Sequence, residues 1–113
     1  MARVTDSDID DLLFLSHSND AHDRSVAVRE LCPCHVKRNQ SRIWDRVIEM
    51  AVDPVAKVRS HVLHVLADGS PRVYEPRVVN AISLISQDAD ESLRRRARKV
   101  LAQYRKSGSI NVL

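Results

Sequence analysis

Two groups of residues in this chain have types and spacings that suit chemistry. The first is Cys32-Pro33-Cys34-His35. Cysteine thiolate and imidazole both ligate zinc or copper, but a closed tetrahedral site needs four donors. His61 and His64 stand one helical turn apart, so one of them would have to complete the set. The candidate metal ligands are Cys32, Cys34, His35 and His64, with zinc as the metal and no other cofactor expected. The opposing reading is apolar packing. Cys-x-Cys-His is not a structural-zinc spacing, no second cysteine pair is present, and Cys32 and His35 align with apolar stripe positions of the repeats described below. A redox pair would call for Cys-x-x-Cys, and haem attachment for two residues between the cysteines.

The second group is His61, His64, Arg95, Arg96 and Lys99. Lys57, Ser60, His61 and His64 recur 35 residues later as Ser92, Arg95, Arg96 and Lys99. In each set the spacing gathers the side chains along one flank of a helix. A cationic helical face suits either an acidic protein segment or a phosphate backbone. With one Trp, two Tyr and one Phe in the chain, base stacking has little to draw on, which favours protein. No enzymatic set accompanies these residues. There is no glycine-rich phosphate loop, no Ser-His-Asp pattern and no paired carboxylates in an apolar setting. Cys34 and His35, adjacent on a helix, would point apart rather than act as nucleophile and base.

The elements that position these groups read as helices. Asp53 to Asp68 is predicted to be one, with Asp53 as its cap, Pro54 in the first turn and Gly69 as a left-handed stop. Val55, Val58, Val62, Val65 and Leu66 form its apolar stripe. The segment recurs 35 residues on: Asp53 aligns with Asp88, Val58-Arg59 with Leu93-Arg94, and Val65-Leu66 with Val100-Leu101. A weaker upstream copy aligns Asp23 with Asp53 at a shift of 30, which places Arg29 in line with Arg59 and Cys34 in line with His64. The aligned arginines Arg29, Arg59 and Arg94 are predicted to pair with aspartates of neighbouring turns. Partner helices are predicted over Ser7–Ser16 (capped by Asp6 or Ser7), from Ser41, and from Pro76, the last helix being capped by Asp90 or Ser92 and ended by Gly108. Pro33 must kink or stop the upstream helix.

Recurrence of an Asp-x4-apolar-Arg frame at this spacing signals stacked helical repeats. The segments resemble HEAT repeats, in particular the short HEAT-like type also found in phycobilin lyases. The resemblance implies an all-α fold, a right-handed α-α superhelix of about three helical pairs. Residues 1–106 form the single repeat domain, and residues 107–113 a short tail that packs on the last repeat or serves a partner. In such folds the second helices line a concave surface, which would carry His61, His64, Arg95, Arg96 and Lys99. The expected function is a non-catalytic protein-binding scaffold for a partner with an acidic surface. The alternatives are nucleic-acid or ribonucleoprotein binding through the same face, or metal binding at Cys32–His35.

Charge supports an asymmetric binder. Residues 1–23 carry six acids against Arg3, whereas residues 88–113 carry seven bases against three acids. Such a dipole steers charged partners. No run reaches the ~20 apolar residues of a membrane span. The acidic N-terminus lacks a signal-peptide apolar region, so the expected location is cytoplasmic and no membrane partner is expected.

Overall fold

A computed structural model describes residues 4–36 and 40–110, apart from the side chains of Cys34 and His35. The regular structure among the described residues is helical: α1 (Asp6–Leu15), α2 (Ala21–Glu30), α3 (Pro33–Val36), α4 (Ser41–Glu49), α5 (Ala56–Asp68), α6 (Glu75–Ile85) and α7 (Glu91–Ser107). Consecutive helices pack as pairs, α1 with α2, α4 with α5 and α6 with α7. Between pairs, α2 packs on α5 and α5 on α7, while α1 packs on α4 and α4 on α6. The helices thus form two layers, with α5 central in one and α4 in the other.

The apolar stripes read from the sequence form the core between these layers. Val58, Val62, Val65 and Leu66 of α5 are fully buried, as are Val28 of α2, Val78 and Ile82 of α6 and Ala97 of α7. Trp44 on α4 is buried and its ring stacks on Tyr74, with centroids 6.2 Å apart.

Local chemistry sets the helix starts, and those of α1, α2, α4 and α5 depart from expectation. Thr5 caps α1, its hydroxyl accepting the Asp8 N–H while the Asp8 carboxylate accepts the Thr5 N–H. Asp53 does not cap α5: Val55 does, without a side-chain bond. The Asp53 carboxylate accepts the Val55 N–H at 3.0 Å and is otherwise held by Arg24, so Pro54 lies outside the helix. Gln40, not Ser41, stands at the α4 cap. Asp90 caps α7 by accepting the Leu93 N–H at 3.0 Å. Gly108 ends α7 at φ 78°, the left-handed conformation, whereas Gly69 follows α5 at φ 152°, ψ 149°, a glycine-favouring conformation outside the left-handed helical region.

The repeat register also needs correcting at its upstream end. Asp20 caps α2, its carboxylate accepting the His22 N–H at 2.8 Å, so the helix starts earlier than Asp23. The caps Asp20, Val55 and Asp90 are therefore spaced 35 residues apart throughout, and the arginine that matches Arg59 is Arg24, not Arg29. Arg24 grips Asp53 with Nε at 2.9 Å and Nη2 at 3.2 Å. Arg59 grips Asp88 in the same way, at 2.7 and 3.0 Å. Each arginine also donates Nη1 to the carbonyl six residues earlier: Arg24 to Ser18, Arg59 to Asp53 and Arg94 to Asp88, at 3.0, 2.7 and 2.9 Å. Arg29 is exposed instead and pairs with Glu30 at 3.5 Å. The same period governs the other layer, where Arg42 of α4 pairs with Asp10 of α1 and Arg77 of α6 with Asp45 of α4.

Pro33 acts as expected. Helix α2 ends at Glu30, and Pro33 opens the short α3. Tail residue Ile110 is buried at 5 % exposure and joins the core, which is the packing alternative for that residue; Asn111–Leu113 fall outside the described residues.

Candidate binding groove

Helix α7 packs on α5, and the chain leaves α7 at Gly108 toward the buried Ile110. A groove of about 700 Å³ opens between these parts. Leu63, Val100, Tyr104 and Ile110 supply its apolar surface, Arg96 and Lys99 its cationic one, and His64 and the carboxylate of Asp68 line it as well. Arg96 is steadied by donating Nη1 to the Ser60 hydroxyl of α5 at 2.7 Å.

Three of the five predicted binding residues therefore share one groove. His61 lies a turn before His64 and is half-buried. Burial pushes its pKa below the ordinary imidazole value, and the charges of Arg29, Lys57, His64 and Arg96 push it the same way. His61 thus resists protonation. Arg95 does not join the group: its side chain is 77 % exposed and pairs with Glu91 one turn earlier.

Sequence reasoning missed Arg29 as a member of this neighbourhood because it followed the shift of 30. With the 35-residue period, Arg29, His64 and Lys99 occupy equivalent places on α2, α5 and α7. The influence of Arg29 on His61 agrees with that placement.

Of the cysteine segment, the side chains of Cys32 and Pro33 are described. Cys32 is 1 % exposed and packs in the core, its Sγ 3.6 Å from Asp68 Oδ2. Under the corrected period Cys32 matches Ala67, and His64 matches Arg29 rather than Cys34. The side chains of Cys34 and His35 fall outside the described residues. Among the described residues no three His, Cys, Asp or Glu side chains gather as a metal site. Among them also, no helix is long and apolar enough to cross a membrane.

No protein family, curated protein or solved structure matches this chain. The HEAT-like resemblance accordingly rests on the internal period alone.

Proposed function

We propose that this chain is a non-catalytic, HEAT-like protein-binding module. In this reading its three helical pairs form a right-handed superhelix whose concave side carries His61, His64, Arg96 and Lys99, with Arg29 and Lys57 beside them. The ligand is an extended acidic segment of a partner protein. The observation that carries the reading is the groove itself, where Arg96 and Lys99, with His64, outnumber the one carboxylate among its described lining residues, Asp68, beside the apolar Leu63, Val100 and Tyr104. A peptide that alternates carboxylates with apolar side chains satisfies both surfaces at once, with salt-sensitive affinity from the charges.

Nucleic acid fits less well. Trp44 is buried against Tyr74, and Phe14, 84 % exposed, lies on α1 and does not line the groove. Tyr104 alone among the four aromatic residues lines the groove, which leaves little for base stacking.

The test is fluorescence anisotropy with a labelled Glu/Leu-rich peptide and with labelled single-stranded and duplex nucleic acid, at several salt concentrations. Peptide binding that weakens at least ~10-fold in Arg96→Ala/Lys99→Ala supports the module reading. Binding of nucleic acid alone, with a steep salt slope, replaces it with the nucleic-acid reading. Binding of neither, even at low salt, removes both.

A further inference from the structure

The third arginine of the 35-residue series differs from the other two. Arg24 and Arg59 each use Nη1 on a carbonyl six residues back and turn Nε and Nη2 onto an aspartate. Arg94 has the same carbonyl anchor, Asp88 O at 2.9 Å, but among the described residues no carboxylate meets its Nε and Nη2 edge. Its head is half-buried and already oriented, so closing the fork costs less side-chain entropy than it would for a free arginine. Arg98, one turn later, is held too, with Nε on Ser86 O at 3.1 Å. Two guanidinium groups are thus tied to the α6–α7 turn with donors to spare.

The position of this pair on α7 is informative. The α5 residues that correspond to Arg94, Arg95 and Arg98 are Arg59, Ser60 and Leu63, and that flank of α5 receives α7: Arg59 grips Asp88, Ser60 accepts from Arg96, and Leu63 is buried beside Val100. The matching flank of α7 replaces buried Leu63 with Arg98. It is a surface of the same geometry with its apolar contact exchanged for charge. It also lies on the other side of α7 from Arg96 and Lys99, because residues two and five positions from Arg94 fall roughly opposite the Arg94–Arg98 line on a helix of ~3.6 residues per turn.

We propose that the Arg94–Arg98 flank of α7 is a second binding surface, which takes an aspartate placed two residues ahead of a helix cap in a partner protein. The ligand chemistry is set by the two occupied sites. Asp53 precedes the cap Val55 and accepts its N–H at 3.0 Å; Asp88 precedes the cap Asp90 and accepts its N–H at 2.9 Å. Both carboxylates are thereby aimed before the arginine arrives. A partner helix start of this kind reproduces the bidentate contact of Arg59 at Arg94, and further acids in its first turn meet Arg95 and Arg98.

The probe is the acetylated and amidated peptide Asp-Ala-Asp-Glu-Ser, which copies residues 88–92. It is titrated into the ¹⁵N-labelled full chain at low salt while the arginine Nε–Hε resonances are followed. The Arg94 and Arg98 signals shift saturably with a midpoint of about 1–10 mM, while those of Arg24 and Arg59, already engaged, stay in place. The same peptide with its first Asp→Asn binds at least ~5-fold more weakly, and so does Arg94→Lys, which keeps the charge but loses the fork. The proposal is overturned if the Arg94 signal does not move up to about 20 mM peptide, if the Asp→Asn peptide binds equally well, or if the shifts appear at Arg96 instead of Arg94.

Discussion

Replacing Arg59 with Ala removes three hydrogen bonds at once. Two go to the Asp88 carboxylate at 2.7 and 3.0 Å, and one goes to the Asp53 carbonyl at 2.7 Å. The side chains of Arg59 and Asp88 are only 16 % and 7 % exposed, so water reaches the orphaned acceptors poorly. Exposed ion pairs contribute about 0.2–1 kcal/mol, and breaking a fully buried one costs about 3–5 kcal/mol. This pair lies between those limits, and the expected loss is about 2 kcal/mol, or roughly 8 °C in Tm for a domain of this size. The internal control is Arg77→Ala. Its partner is Asp45, the side chains are 50 % and 51 % exposed, and the expected loss is below about 1 kcal/mol. Urea unfolding followed by circular dichroism and by Trp44 fluorescence gives both values. A double-mutant cycle of Arg59→Ala with Asp88→Asn should return a coupling of about 1 kcal/mol or more. Equal losses for Arg59→Ala and Arg77→Ala, or a coupling near zero, would refute the claim that these rungs hold the helical pairs together.

Two more outcomes follow from the same contacts. The Arg59 hydrogen bond, opposed by burial and assisted by the Asp90 N–H and the Arg59 and Arg94 charges, holds the Asp88 carboxyl below its ordinary value of 3.8; its contribution to stability is complete above that value and is lost as pH falls through the depressed one, so Asp88→Asn should flatten the acid limb of a stability–pH curve measured below pH 3.8. Ile110→Ala should cost about 2 kcal/mol in urea unfolding, near the low end for a buried isoleucine because a tail relaxes easily, and an unchanged midpoint would contradict its place in the core.

The sequence made the helices and the core legible because both are periodic. Val58, Val62, Val65 and Leu66 announce a buried face by spacing alone, and all are fully buried. The period was equally readable between Asp53 and Asp88, where two strong apolar stripes align. It was misread upstream because α2 is short and polar, with Asp23 where α5 has Val58, so a chance match of Asp23 and Arg29 to Asp53 and Arg59 outweighed the true one. That slip displaced Arg29 from the groove neighbourhood and paired Cys34 with His64. Long-range geometry decides the rest. The i, i+4 spacing of Glu91 and Arg95 is a local signal for their pair, but nothing local shows that Arg96 reaches Ser60 across the helix interface.

The Nη1 contacts to Ser18, Asp53 and Asp88 constrain chain length as well as contact geometry. Each fixes a six-residue span, from the carbonyl before a helix to the arginine on its first turn. One residue inserted in the turn would move that carbonyl by up to ~3.8 Å along the chain and break the contact with an arginine whose place on its helix is set by the core. The turns at 18–20, 53–55 and 88–90 are therefore intolerant of insertion or deletion, although turns are ordinarily where chains vary most.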